Sequence, residues 1–195
     1  GEDTIFVCDK CCYAENKEIS KLQAGDHCPH CTGAVKEIKS IEVGNIFPLG
    51  TKYSEAFNLK YIAEDGEKKY VVMGSYGIGL GRVMGTIVEV YHDDKGIIWP
   101  KSIAPFKVHL IALEGGESEA EKIYQDLIAR KMEVLYDDQV DKSAGEKFAD
   151  ADLIGCPMRL VISKKSLQAG GIEVKKRNEE KTQIVNLTQL PAFLL

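Results

Sequence analysis

The sequence lacks any apolar stretch near the roughly 20 residues that a membrane-spanning helix needs. Residues 1–4 are acidic and no basic segment followed by an apolar one comes after them, so we expect no signal peptide. Positive charge is not in excess either, since the formal net charge is −5. Any nucleic acid must therefore be bound by a local basic patch. We expect a cytoplasmic globular protein with no membrane partner.

Cysteine is scarce outside one segment: five of the six cysteines lie between residues 8 and 31, and only Cys156 lies elsewhere. Such clustering indicates metal binding rather than disulfides. Two C-x₂-C pairs separated by sixteen residues can direct four thiolates to one centre, as in a zinc ribbon. The predicted ligands are Cys8, Cys11, Cys28 and Cys31. The alternatives are reduced turns without metal and, less favoured, a redox C-x₂-C pair, which normally follows a strand in a βαβ unit.

The length of 195 residues suits one large or two small domains. Residues 41–72 have the short, interrupted apolar pattern of an antiparallel sheet, with a hairpin turn at residues 64–67. A strand at residues 69–73, a glycine-dense turn and a helix over residues 82–91 are predicted to follow. We place a domain boundary in the proline-containing connector at residues 97–105.

Beyond that connector the pattern changes to alternating strands and helices. We predict a buried strand at residues 108–113 and a helix over residues 117–131, with Ile123, Leu127 and Ile128 facing inward. Further strands and one helix follow, which together indicate a small α/β domain. A solvated hairpin surface is expected to carry Lys164, Lys165, Lys175, Lys176 and Arg177, with contact to a nucleic-acid backbone as the alternative.

The glycine-rich segment at residues 74–82 ends in Arg82, which the pattern places in the first turn of a helix. A cation there opposes the helix dipole, so its presence suggests a compensating anion such as a polyphosphate. A glycine-rich packing turn is the alternative. A dinucleotide-binding fold is not favoured, because the segment reads G-x-G-x-G and follows antiparallel sequence.

With these features combined, the chain resembles the bacterial and mitochondrial prolyl-tRNA synthetases, a family of class II aminoacyl-tRNA synthetases. Residues 74–82 resemble motif 3 of that class, and the resemblance extends to residues 41–47, 49–54, 96–100, 104–106, 137–138 and 148–155. It implies a partial class II antiparallel-sheet catalytic domain over residues 1–103, with the cysteine-rich ribbon at residues 8–31. A small α/β anticodon-binding domain with a mixed sheet is implied over residues 104–195.

The resemblance also implies roles for individual residues. Catalysis and Mg²⁺-dependent ATP binding would use a set of four: Glu42, Gly79, Gly81 and Arg82, of which Glu42 and Arg82 are the catalytic pair. The proline-binding residues would be Asn45, Ser75 and Gly77. Contacts to the tRNA anticodon would come from Asp138, Gln139, Lys142 and Lys147.

The implied function is that of a proline–tRNA ligase, which activates proline with ATP to prolyl-adenylate and transfers it to tRNA(Pro). Motifs 1 and 2 do not occur in this sequence, so we expect the fragment alone to be inactive, and a homodimer is expected only for the full-length enzyme. One alternative is a non-catalytic RNA-binding or regulatory paralogue. Another is a zinc-ribbon protein with an unrelated α/β domain.

Overall fold

The computed structural model describes residues 1–190 and 193. The chain divides into two compact units, Gly1–Thr86 and Ile87–Leu195. The predicted domain boundary at residues 103 and 104 therefore lies inside the second unit and stays a prediction. Among the described residues, every helix is too short or too polar to span a membrane.

The first unit begins with a small antiparallel sheet that carries the cysteines. Its strands are β1 (Asp3–Cys8), β2 (Ala14–Asn16) and β3 (Val35–Ser40), in the order β2-β1-β3. Phe6 and Val35 are almost fully buried and pack with Cys8 and Cys28. This core is too small to be stable without further support, because few apolar side chains are available to it. The cysteines at its centre are thus well placed to provide that support.

The rest of the first unit is built from strand pairs and two helices. The elements are β4 (Gly44–Gly50), α1 (Lys52–Ala56), β5 (Lys60–Ile62), β6 (Lys68–Tyr70), β7 (Met73–Ile78) and α2 (Leu80–Val90). β4 pairs with β7, and β5 pairs with β6, both antiparallel. The predicted hairpin turn at residues 64–67 connects β5 to β6, which confirms that prediction.

The predicted glycine-dense turn is wrong, because most of it forms β7. Asn45 lies opposite Gly77, and Phe47 lies opposite Ser75 in this strand pair. Pairing with β4 holds the glycines extended despite their weak strand propensity, a case in which tertiary context overrides local preference. Only Gly79 remains between β7 and α2, so the helix begins at Leu80 rather than at Arg82.

The second unit has the predicted α/β order. After α2 come β8 (His92–Asp93), β9 (Gly96–Ile97), β10 (Val108–Ala112), α3 (Glu117–Ala129), β11 (Val134–Asp137), α4 (Ala144–Ile154), β12 (Met158–Ile162), α5 (Lys164–Gln168), β13 (Ile172–Lys176) and β14 (Thr182–Val185). The last five of these strands form one sheet in the order β11-β10-β12-β13-β14. β10, β11 and β12 are parallel, and β13 and β14 are antiparallel, so the predicted mixed sheet is confirmed.

The core of the second unit has a helix on each face of this sheet. Every residue of β10 is buried. Because side chains alternate along a strand, Leu110 packs with the α3 side chains Ile123 and Leu127, whereas Ile111 packs with Ala151 of α4. Because β10, β11 and β12 are parallel, their carboxyl ends meet at one edge of the sheet.

Two details of the second unit differ from the predictions. Ile128 is 43% exposed rather than inward, because α3 ends at Ala129 and its buried stripe passes through Ala120, Ile123 and Leu127. Lys164 and Lys165 lie on α5, a helix that was not predicted, and not on a hairpin. Ser163 caps α5 by accepting a hydrogen bond from the Ser166 amide, and the Ser166 side chain reciprocates.

Candidate functional site

A cavity of about 230 Å³ lies between β4, β7 and the start of α2. Five of the seven predicted ATP- and proline-binding residues line it: Glu42, Asn45, Gly77, Gly79 and Arg82. Ser75 and Gly81 are not among the lining residues. The cavity is smaller than the roughly 300–1,000 Å³ of most small-molecule sites.

Arg82 lies in the first turn of α2 and its side chain is half exposed. It donates a hydrogen bond from Nη1 to the main-chain oxygen of Glu42 at 3.2 Å. The nearest carboxylate oxygens belong to Glu42, at 3.6 Å, and Glu2, at 3.8 Å. Both distances exceed those of a direct charge-assisted hydrogen bond. The guanidinium is thus flanked by two carboxylates without a short hydrogen bond to either.

The facing residues hold the opposite wall of this cavity in place. Asn45 donates a hydrogen bond from Nδ2 to Glu42 at 2.7 Å, which orients the Glu42 carboxylate. A Cβ atom on Gly77 would lie only 2.7 Å from Oδ1 of Asn45, so only glycine fits without displacing that side chain. In general, a guanidinium can donate hydrogen bonds to a nucleotide phosphate, and a carboxylate opposite it can bind the accompanying Mg²⁺ ion.

The four predicted cysteine ligands form one cluster. The Sγ atoms of Cys8, Cys11, Cys28 and Cys31 all lie within 4.8 Å of one another. Sγ of Cys8 lies 3.4 Å from that of Cys31, and Sγ of Cys11 lies 3.7 Å from that of Cys28. Tetrahedral zinc with Zn–S bonds of about 2.3 Å separates its sulfurs by about 3.8 Å. The cluster thus has close to the dimensions of a zinc–tetrathiolate centre and could hold a metal.

Backbone amides point at three of these sulfurs. Sγ of Cys8 accepts a hydrogen bond from the Lys10 amide, Sγ of Cys28 from the His30 amide, and Sγ of Cys31 from the Gly33 amide. The Lys10 amide is the main reason why the pKa of Cys8 falls to about 7. Amide donors of this kind stabilise thiolates, which are the form that binds metal.

The neighbouring sulfurs oppose the ionisation of Cys11. The amide of Tyr13 would by itself lower the pKa of Cys11, but burial and the neighbouring Cys8, Cys31 and Cys28 raise it to about 12. A cation among the sulfurs would favour their thiolate forms. Cys12, which is exposed, lies outside the cluster.

A second cavity, of about 710 Å³, lies where the parallel strands of the second unit end. All four predicted anticodon residues line it: Asp138, Gln139, Lys142 and Lys147. Its volume lies in the range of about 300–1,000 Å³ that small-molecule ligands occupy. The carboxyl edge of parallel strands is also the usual position of binding sites in open α/β sheets. The cavity is therefore large enough to receive an unstacked RNA base.

These four side chains differ in what they could contact. Asp138 and Gln139 are exposed. The main-chain amide and the side-chain Nε2 of Gln139 both donate to Oδ1 of Asp137, at 3.2 and 3.3 Å. Lys142 is 35% exposed and pairs with Asp150 at 2.6 Å, a contact that raises the pKa of Lys142. Lys147 is buried and only 3% exposed. Residue-level contacts with an anticodon stay predictions.

Lys164 and Lys165 of α5 line the same cavity, and both are exposed. Sequence reasoning missed them as cavity residues because it did not predict α5. The available signal was Ser163 followed three residues later by Ser166, a weaker capping pattern than Ser followed by Glu. Together with Lys142 they give the cavity a lysine-rich rim.

Two family models match this chain. A family model described as "Anticodon binding domain" matches residues 103–195. A second, described as "tRNA synthetase class II core domain (G, H, P, S and T)", matches residues 28–91. The chain thus belongs to the class II aminoacyl-tRNA synthetases, which excludes a zinc-ribbon protein with an unrelated α/β domain.

Within that class, the similar curated proteins are proline–tRNA ligases. The chain is 44% identical over 188 residues to the one from Bacillus subtilis (strain 168), which covers 93% of this chain and 33% of that protein. It is 48% identical over 163 residues to the one from Halothermothrix orenii, covering 82% of this chain and 28% of the relative. The Legionella pneumophila (strain Paris) protein is 40% identical over 188 residues, covering 94% and 33%. The chain spans about one third of the length of these relatives.

Proposed function

We propose that the chain is the motif 3 and anticodon-binding part of a proline–tRNA ligase. The observation that carries this proposal is the convergence of Glu42, Asn45, Gly77, Gly79 and Arg82 on one cavity, in a chain whose relatives are named proline–tRNA ligases. Cytoplasmic location and a homodimeric full-length enzyme stay predictions.

In the proposed reaction, the carboxylate of proline attacks the α-phosphate of ATP in line, the bond between the α-phosphorus and the β-phosphate oxygen breaks, and pyrophosphate leaves, which gives prolyl-adenylate. This chemistry needs alignment and charge stabilisation rather than a covalent nucleophile. Arg82 would donate hydrogen bonds to the ATP phosphates, and Asn45 would keep the Glu42 carboxylate directed at the cavity. Mg²⁺ bound near Glu42 would offset phosphate charge. In the second step, which would use the same site, a ribose hydroxyl of tRNA(Pro) attacks the prolyl carbonyl and AMP leaves.

Because motifs 1 and 2 do not occur in this sequence, we expect no proline-dependent ATP–pyrophosphate exchange by this chain alone. In the complete protein, exchange should occur and Arg82→Ala should lower kcat/KM by on the order of a hundredfold or more. Arg130→Ala, at the exposed C-cap arginine of α3, is the matched control. Exchange by the isolated chain would contradict the expected inactivity. A complete protein that binds tRNA but never exchanges would instead support the non-catalytic paralogue.

For the second cavity we propose anticodon binding. Lys142, Lys164 and Lys165 would contact RNA phosphates, while Asp138 and Gln139 face the bases. The test is binding of the 195-residue chain to an anticodon stem-loop of tRNA(Pro), compared with a stem-loop whose anticodon bases are exchanged. Tighter binding of the proline anticodon is expected. Equal affinity for both RNAs would contradict base recognition here.

For the cysteine cluster we propose a structural Zn²⁺ ion. Four sulfur ligands leave no open coordination position, so the metal would crosslink the ribbon and would not take part in catalysis. Freshly purified protein should contain about one zinc ion per chain, measured by inductively coupled plasma mass spectrometry. Cys28→Ser should abolish that content, whereas Cys12→Ser should leave it unchanged. Zinc-free wild-type protein would refute the proposal.

A further inference from the structure

The ammonium group of Lys147 is fully enclosed in the second unit. Lys147 lies in the first half of α4 and its side chain is only 3% exposed. Nζ donates to the main-chain oxygen of Ala112 at 2.8 Å and to that of Asp137 at 3.4 Å. It also pairs with Oδ1 of Asp137 at 3.3 Å. Three donors thus face three acceptors, and none is left for a ligand.

This arrangement argues against direct contact between Lys147 and an RNA phosphate. To reach one, the ammonium would have to leave two carbonyl oxygens and a carboxylate that is itself 5% exposed. Leaving that carboxylate buried and unpaired is strongly unfavourable. The three exposed or half-exposed lysines of the same rim can meet a phosphate without such a cost.

A gain in stability does not by itself explain why Lys147 and Asp137 form a buried ion pair. Removing two charges from water costs about as much as their attraction returns, and well-packed apolar side chains are often equally stable. What the pair does achieve is geometric. The two carbonyls that Lys147 binds belong to the last residues of β10 (Ala112) and β11 (Asp137). One ammonium therefore holds together two strand ends next to the cavity, which Ala112 and Asp138 line.

The same pair controls the loop that follows β11. Oδ1 of Asp137 accepts hydrogen bonds from the amide and the side chain of Gln139. Lys147 therefore fixes Asp137, and Asp137 fixes the backbone at the start of residues 138–142, where the predicted base-contacting side chains lie.

We propose that Lys147 is a positioning residue for the anticodon cavity, which holds residues 138–142 in their binding conformation through Asp137 without touching the RNA. The proposal rests on the anticodon-binding function proposed above. It also makes a claim about the RNA-free protein, namely that the Gln139 amide is protected because Asp137 is held in place.

The experiment compares the wild-type 195-residue chain with Lys147→Met and with the double variant Lys147→Met/Asp137→Asn. The double variant leaves no unpaired buried charge, so it remains usable if the single variant does not fold. Hydrogen exchange is followed at residues 138–142 and in β12. Affinity for the tRNA(Pro) anticodon stem-loop is measured at several salt concentrations. Lys165→Met is the matched control for a lysine that faces solvent on the same cavity.

We expect faster exchange at residues 138–142 in both Lys147 variants, with protection in β12 retained. Affinity should fall by on the order of tenfold, while the slope of log K against log salt stays at its wild-type value. Lys165→Met should instead lower that slope by about 0.7–0.9, the loss of one phosphate contact.

The inference is overturned by unchanged exchange at residues 138–142, or by a Lys147 variant that lowers the salt slope like Lys165→Met. It is also overturned by full RNA affinity in a Lys147 variant. If the wild-type chain binds no stem-loop, the anticodon function fails, and the exchange data alone still decide whether Lys147 positions the loop.

Discussion

Gly155 and Gly170 share a left-handed backbone but differ in their surroundings, which allows a matched comparison. Their φ angles are 79° and 88°. A Cβ atom on Gly155, the C-cap of α4, would lie 2.0 Å from the main-chain oxygen of Ile97. A Cβ atom on Gly170 would meet nothing within 4 Å. Substitution by alanine should therefore be much more costly at Gly155.

The magnitudes follow from two separate contributions. The left-handed conformation costs an alanine about 1–2 kcal/mol at either position. At Gly155 the overlap with a main-chain atom forces β9 and the end of α4 apart, and overpacking of this kind adds about 1–3 kcal/mol. We therefore expect Gly155→Ala to lower the free energy of unfolding by about 2–5 kcal/mol and Gly170→Ala by about 1–2 kcal/mol.

Urea denaturation followed by tryptophan fluorescence measures this difference. Trp99 is the one tryptophan of the sequence. Its Nε1 donates to the main-chain oxygen of Ile154 at 2.9 Å, so its emission reports on the contact that Gly155 permits. With a slope of about 1–3 kcal/mol per molar urea, the two midpoints should differ by roughly 1 M. Equal shifts for both variants would refute the close-packing argument.

Three further outcomes are expected. Leu160→Ala, at a fully buried position of β12, should lower the free energy of unfolding by about 2–5 kcal/mol in the same urea assay; a loss below about 1 kcal/mol would contradict its place in the core. The hydrogen bonds from Arg177 hold the pKa of Asp93 well below its usual range, so this pair stabilises the fold above pH about 4 and loses that effect as the pH falls. Arg177→Met should therefore flatten the acid side of a plot of thermal midpoint against pH, and an unchanged plot would contradict the linkage. Gly81→Ala, in a helix with nothing within 4 Å of the new Cβ atom, should stabilise the chain by up to about 1 kcal/mol, whereas a loss in thermal midpoint would show a contact that the structure lacks.

The parts of the protein that the sequence predicted well depend on local spacing. Two C-x₂-C pairs are sufficient to predict one four-cysteine cluster, because each short turn brings its two thiols to the same side. The buried strand β10 and the inward side chains Ile123 and Leu127 follow from apolar periodicity alone. The resemblance to the class II synthetases predicted seven residues for the first site, and five of them line the cavity.

Only the tertiary structure decided which conformation the glycine-rich segment adopts and what each lysine does. Residues 73–78 become a strand because β4 supplies the hydrogen-bond partners that their own sequence does not specify. Lys142 and Lys147 are five residues apart and chemically identical, yet one reaches solvent and the other is enclosed by the ends of β10 and β11. Burial depends on the strands that surround a side chain, and those strands are distant in the sequence.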